Sequence, residues 1–308
     1  MEGLPSPLAR LPRYYSRHSR THRRHPISSS GKAELHAHTT FSDGTLTPHE
    51  LVEEADRIGL AALAVTDHDM VGGVAPAREA ARDSVLEIIP GVEFSTHLDG
   101  HEIHLLGLFI DDTDADLLAS TVQSRDFRRD RAQDIIDRLN GLGVEVTFDD
   151  VEAESCDGAM GRPHIAHALV RRGAVDNLDE AFRRYIGVGR PAFVRKPTLA
   201  VDKVVPVVHR AGGVAILAHP ASSRVNDDEI RALAALGIDG FEVEHPKHGS
   251  SARRRLRALI EELGLLPSGG SDFHGPGAGT TKLGAHAVSL ERMEALRAAA
   301  RDHREAHA

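Results

Sequence analysis

From Ala33 onward, short runs of apolar and β-branched residues alternate with amphipathic stretches of helical period. That alternation is the signature of a parallel sheet whose strands are joined by crossover helices, so an α/β barrel is expected. Seven strands are predicted, over 33–37, 61–66, 86–93, 102–109, 213–218, 239–244 and 265–270. The first helix is announced by Thr47-Pro48-His49-Glu50, where Thr47 can cap and Pro48 sits at the first helical position. Helices are expected near 201–211, 227–236 and 250–263 on the same grounds. The strands at 86–93 and 102–109 are separated by a polar linker containing Ser95 to His101, too short for a helical crossover. They are therefore read as a hairpin.

Between Asp111 and Pro197 the pattern becomes helix after helix, with a charged stretch through Arg125, Arg128, Arg129, Arg131 and Arg138. The chain accordingly divides into a barrel over 33–110 and 197–290, an inserted helical subdomain over 111–196 that caps its mouth, and a C-terminal helix or tail over 291–308 expected to fray. Residues 1–32 form a basic extension without apolar periodicity, which reads as disordered.

Composition narrows the class. The 308 residues are 41% hydrophobic and 27% charged, an ordinary soluble balance, and no apolar run approaches the ~18 residues needed to span a bilayer. A formal net charge of −9 argues against coating of long nucleic acid, while leaving room for a local basic pocket that holds a phosphate. The single cysteine, Cys156, excludes an internal disulfide and a thiolate zinc cluster and agrees with a cytoplasmic location. The Arg-rich, acid-poor start lacks the apolar core of a secretory signal.

Nine residues placed where a predicted strand ends are good metal ligands: His36, His38, Asp43, His68, Glu93, His104, His219, Asp272 and His274. In a βα barrel the strands aim their C-terminal ends at one face, so residues distant in sequence converge there. His36 and His38 alternate by two, which on a strand sends both imidazoles to one side. Any one of these histidines taken singly reads as a surface or core residue; their shared placement turns the reading to metal. Asp43 in Ser42-Asp43-Gly44 would otherwise be an Asx turn. Asp67-His68-Asp69 directly follows an apolar strand, where charge is costly unless ligated or paired. Glu93, with two oxygens among imidazoles, can bridge two ions.

These motifs, His-x-His, Ser-Asp-Gly, Thr-Asp-His, Gly-Val-Glu, His-Leu-Leu-Gly, Ala-His-Pro and Ser-Asp-x-His, resemble the polymerase and histidinol phosphatase (PHP) superfamily of metal-dependent phosphoesterases over residues 33–290. The resemblance implies a distorted (β/α)7 barrel. It further implies up to three ions, one on His36, His38, Glu93 and Asp272, a second on Asp43, His68 and His274, and a third on Glu93, His104 and His219. Gly161-Arg162-Pro163-His164 and Glu242-x-Glu244-His245-Pro246-x-His248 are similar to the branch that hydrolyses nucleoside 3′,5′-bisphosphates and trims short RNA from its 5′ end.

Two or three divalent ions, Mn²⁺, Fe²⁺ or Zn²⁺, suit this all-nitrogen-and-oxygen donor set. They would activate a water as hydroxide for in-line attack on phosphorus, so no protein nucleophile is needed. Arg162, Lys196 and His248 are candidates to hold substrate phosphates, and Asp67 to orient His68 or a bound water. The expected substrate is a small phosphorylated molecule, a nucleotide or short RNA. AMP or histidinol phosphate is an alternative substrate, and a non-catalytic metal- or nucleotide-binding module an alternative role. A Cys156-dependent phosphatase is suggested only by the Cys-x5-Arg spacing from Cys156 to Arg162. Ser155 before the cysteine and Pro163 after the arginine depart from that pattern.

Overall fold

Apolar runs of three to five residues, too short for helices and bounded by turn residues, become the strands of one sheet. A computed structural model of the chain describes residues 31–155, 159–277 and 281–307. Its elements run β1 (Lys32–Glu34), α1 (Pro48–Arg57), β2 (Ala62–Val65), α2 (Val74–Ala80), β3 (Glu87–Leu98) and β4 (His101–Leu108). Then come α3 (Ala115–Gly141), α4 (Phe148–Ser155), α5 (Arg162–Arg171), α6 (Leu178–Ala181) and a π-helical turn over Phe182–Ile186. The remainder is β5 (Leu199–Ala200), α7 (Val201–Arg210), β6 (Val214–Leu217), α8 (Asp227–Ala235), β7 (Gly240–Glu244), α9 (Ser250–Leu263), β8 (Leu266–Gly269), β9 (Val288–Ser289) and α10 (Leu290–His307).

The sheet order is β8-β7-β6-β4-β3-β2-β1-β9, with β5 added against the far end of β3. Pairing is parallel for β1–β2, β2–β3, β6–β7 and β7–β8, and antiparallel where β4 meets β3 and β6. The seven strands expected from the pattern thus form a nearly closed barrel, distorted by the antiparallel β4. The ends meet beyond the formal strands: the His38 amide donates to the Phe273 carbonyl at 2.9 Å. Gly270 permits this approach, because a Cβ there would overlap the Cβ of His36.

Local signals act as anticipated at several points. Thr47 and Glu50 form a reciprocal capping box at the start of α1. The β3–β4 hairpin is tighter than expected, because both strands extend through the presumed linker to a two-residue Asp99-Gly100 turn with φ of 49° and 80°. Asp-Gly favours such left-handed pairs.

Alternate strand residues serve two cores. Ala62, Ala64, Ile89, Leu106, Leu108, Val214 and Ile216 share one cluster with Met293, Leu296 and Ala300 of α10. Ile103, Leu105, Ala215, Leu217, Phe241 and Val243 pack outward on α7, α8 and α9. The C-terminal helix therefore does not fray as expected: its apolar stripe at 293, 296 and 300 is buried against the barrel. Helices α3 to α6 build a core of their own around Ile135, Leu139, Val151, Ile165 and Leu169. The basic first 30 residues, and Cys156, fall outside the described residues.

Candidate metal centre

Polar residues that directly follow buried strands converge at one end of the barrel. Glu93 on β3 is fully buried and meets five imidazoles. Its Oε2 lies 3.3 Å from Nε2 of His36, 3.3 Å from Nε2 of His38 and 2.9 Å from Nδ1 of His68. Its Oε1 lies 2.8 Å from Nδ1 of His104 and 3.0 Å from Nε2 of His219. Asp272 approaches the first pair from the other side, with Oδ1 3.4 Å from His36 Nε2 and 3.3 Å from His38 Nε2. Asp43 sits beside His274 at 3.3 Å and His68 at 3.8 Å.

Several of these donors are buried atoms without a hydrogen-bond partner among the described residues: Nε2 of His36 and His38, Nδ1 of His68, Oδ1 of Asp43 and Oε2 of Glu93. An orphaned buried polar atom costs about 1–3 kcal/mol, so their convergence requires a shared positive partner. The donors fall into groups that could hold a metal ion: His36, His38, Glu93 and Asp272; His38, Asp43, His68 and His274; His68, Glu93 and His104. All are nitrogen or oxygen donors, which fits borderline or hard divalent ions.

The backbone bends at the ligands. His219 and Asp272 have φ of 31° and 50°, in a region non-glycine residues seldom occupy. Such strain persists where surroundings hold it, and here each residue ends a strand and turns its donor toward Glu93 or the His36–His38 pair. Electrostatics follow the geometry. Burial alone would raise the Glu93 carboxyl, but His68, His36 and His104 overrule it and hold it well below the carboxylate range. Burial likewise opposes charge on His38, yet Asp272 and Glu93 bring its imidazole up to about 10. At His68 burial wins, and the imidazole is pushed down to about 4.

A second layer holds the donors. Glu242 on β7, fully buried, lies 3.0 Å from His36 Nδ1 and accepts the His219 amide at 2.7 Å. A carboxylate behind an imidazole fixes its tautomer and raises its basicity. Asp69 accepts from Arg128 at 2.6 Å and from the Ser95 amide at 2.8 Å. Arg128 and Lys196 both donate to Ser95 Oγ, at 3.0 and 2.6 Å.

The PHP domain model matches residues 34–187. A 5′-3′ exoribonuclease of Haemophilus influenzae is 38% identical over 249 residues, covering 80% of this chain and 90% of that protein. The chain belongs to the PHP family.

Within that family, a 3′,5′-nucleoside bisphosphate phosphatase of Chromobacterium violaceum is 34% identical over 257 residues, covering 82% of this chain and 90% of the relative. A crystal structure from Bifidobacterium adolescentis, assigned as a metal-dependent phosphoesterase, superposes with a TM-score of 0.80 at 31% identity, over 87% of this chain and 96% of its own. The protein is thus a PHP metal-dependent phosphoesterase, a hydrolase acting on phosphate esters. No described helix is long and apolar enough to cross a membrane.

The other expected PHP site residues separate. Asp67 does not reach His68; its carboxylate accepts from the Thr39 amide, Thr39 Oγ1 and Ser42 Oγ, each at 2.7 Å, and so ties down the loop that carries Asp43. His248 is buried with both ring nitrogens engaged, Nδ1 at the Val243 carbonyl and Nε2 at the Ala221 amide. Its nitrogens are spent on backbone groups of β7 and of the loop after β6. The histidine of that segment that faces the centre is His245, whose unpartnered Nε2 lies 3.5 Å from Asp272 Oδ2. A bulge between Glu242 and Glu244 shifts the register of β7 just before it.

Arg162 opens α5, and its guanidinium lies over the rings of Phe182 and Phe193 at 5.8 and 5.5 Å. Lys196 Nζ reaches Glu102 Oε1 at 3.0 Å beside His104. Arg128, one of many charges in the helical insertion, carries no motif that marks it as a site residue. Its signal was a stripe on α3, Leu117, Thr121, Ser124, Arg128, Arg131 and Ile135, spaced by three or four and buried throughout. Cys156, the nucleophile of the alternative reading, lies outside the described residues.

Proposed function

We propose that this chain removes phosphate from 3′,5′-nucleoside bisphosphates and trims short 5′-phosphorylated RNA from its 5′ end, using two or three divalent ions of the Mn²⁺, Fe²⁺ or Zn²⁺ kind. The observation that carries the reading is a group of four cations at the junction of the helical insertion and the barrel: Arg128, Arg131, Arg162 and Lys196. Burial, then the charges of Arg162 and Arg128, depress Arg131 to about 10. Burial, then Arg128, depresses Lys196 to about 8. Neighbouring cations thus disfavour the charge of Arg131 and Lys196, and a phosphate among them would relieve that. A simple monoester presents one phosphate to the metal centre and leaves this group unused, whereas a bisphosphate or a 5′-phosphorylated oligonucleotide supplies a second.

His36, His38, Glu93 and Asp272 would hold one ion, Asp43, His68 and His274 a second, and Glu93, His104 and His219 a third. Bound divalent ions supply Lewis acidity and an activated water. The chain's own residues do the rest. Arg128 and Lys196, one step from His68 and His104 through Asp69 and Glu102, neutralise phosphate oxygens. Arg162, already flanked by Phe182 and Phe193, would bind the second phosphate while a base stacks near those rings. Glu242 keeps His36 in the tautomer whose Nε2 lone pair faces the ions. The small relatives that support this reading carry the names 5′-3′ exoribonuclease and 3′,5′-nucleoside bisphosphate phosphatase.

The test is phosphate or nucleotide release from adenosine 3′,5′-bisphosphate, 5′-phosphorylated di- to pentanucleotides, AMP and histidinol phosphate. The bisphosphate or the short RNA should lead in kcat/KM, and Arg162→Met should erase most of that lead over AMP. A lead for AMP or histidinol phosphate would overturn the proposal.

A further inference from the structure

A second cluster of metal-ligating side chains stands at the opposite end of β7 from the catalytic centre. His209 lies in the last turn of α7, Asp239 directly precedes β7, and His303 is on α10. His209 Nε2 is 2.9 Å from Asp239 Oδ2, and His303 Nε2 is 2.7 Å from Asp239 Oδ1. The two imidazoles stack with centroids 3.8 Å apart and planes 14° from parallel. The three donor atoms lie within 4.8 Å of one another.

We propose that His209, Asp239 and His303 form a structural site for a borderline divalent ion such as Zn²⁺, which straps the C-terminal helix to the barrel. The donor set is two imidazole nitrogens and one carboxylate oxygen, three of the four ligands of a tetrahedral zinc. Side-chain exposures of 15%, 13% and 24% leave room for water in the fourth position. The spacing of 2.7 and 2.9 Å is close to that of the catalytic donors, where imidazole nitrogens stand 2.8–3.3 Å from the Glu93 oxygens. A divalent ion satisfies both lone pairs and the carboxylate together.

The carboxylate is pre-oriented. Asp239 Oδ2 also accepts the Ala215 amide at 2.7 Å, so its direction is set by the sheet. The three ligands come from α7, from the entry to β7 and from α10, so one ion would join elements far apart in sequence. Because the three donors come together only in the folded chain, binding the ion adds its free energy to folding, and it holds α10 where Met293, Leu296 and Ala300 close the barrel core.

The experiment is metal content. The full chain is equilibrated with excess Zn²⁺, freed of unbound ion by gel filtration, and its zinc counted per chain alongside His303→Gln and His209→Gln. Glutamine keeps a hydrogen bond to Asp239 but is a poor zinc ligand, and circular dichroism reports whether each variant is folded. Each variant should carry one zinc fewer than wild type, with phosphoesterase kcat and KM unchanged. Equal zinc in all three proteins, or a loss in only one variant, overturns the site and leaves a carboxylate clamping two neutral imidazoles. A variant that folds only when Zn²⁺ is absent would overturn it as well.

Discussion

Glu93 Oε1 lies 2.8 Å from His104 Nδ1 across the β3–β4 hairpin, so the antiparallel pair that distorts the barrel is also what brings a third imidazole set to the shared carboxylate. Were β4 parallel, its side chains would reach the centre from the other direction along the sheet. Glu93→Gln keeps the volume and removes the carboxylate that belongs to two of the three proposed ion sets and touches His68 of the other. The expected outcome is loss of at least one metal equivalent and a fall in kcat/KM of at least about 100-fold, the scale of removing one preorganised charge-stabilising group. Metal counting together with steady-state kinetics checks it, and full metal content with unchanged kcat would remove Glu93 from the bridging role.

Glu242 acts one layer further out. It touches His36 and the His219 amide without belonging to the proposed ligand sets. Glu242→Gln should therefore weaken metal affinity by about 10–100-fold, as loss of a carboxylate behind a ligating imidazole does. Activity should recover at high metal concentration, so a titration of rate against Mn²⁺ distinguishes it from Glu93→Gln, which should stay inactive at saturation.

Much of this arrangement was legible in the sequence, for a physical reason. A charged or imidazole group right after a buried apolar run is expensive unless it is used, so His36, His68, Glu93, His219 and Asp272 announced themselves by position. Helix α1 was legible because Thr47, Pro48 and Glu50 act on their own backbone. Other features depend on partners far away in the chain. His245 and His248 are three residues apart in one loop, just after the register shift in β7, and only the structure shows which faces Asp272 and which is spent on backbone groups. Arg128 looked like one of many charges on α3, and its burial comes from Asp69, which sits 59 residues earlier. The two-residue strands β5 and β9 carry no periodicity of their own and form because β3 and β1 present open edges.

Arg128 and Asp69 are both buried, and their 2.6 Å ion pair joins the helical insertion to the barrel. Removing one partner leaves the other uncompensated, at a cost of about 3–5 kcal/mol. Arg128→Met or Asp69→Asn alone should each lower the melting temperature clearly, while the double variant should lose less than the sum. A double-mutant cycle on thermal or urea unfolding measures the coupling; strict additivity would show that the pair contributes nothing across the junction.

Lys196 supplies a pH signature. Burial, then the neighbouring charge of Arg128, lowers its ammonium to about 8, against the opposing pull of Glu102. The cation that would grip a phosphate is therefore present below that value and is lost as pH rises through it. In the free enzyme this should appear as a decline in kcat/KM above about pH 8, carried by KM more than by kcat. Lys196→Arg keeps a charge at every accessible pH and should flatten the alkaline limb, while Lys196→Met should raise KM below about pH 8 to the level wild type reaches on the alkaline side, and so remove the limb. Because the proposed metal ligands are unchanged in both variants, metal content should match wild type. A pH profile of Lys196→Met identical to wild type would show that the alkaline limb belongs to another group and would free Lys196 from substrate binding.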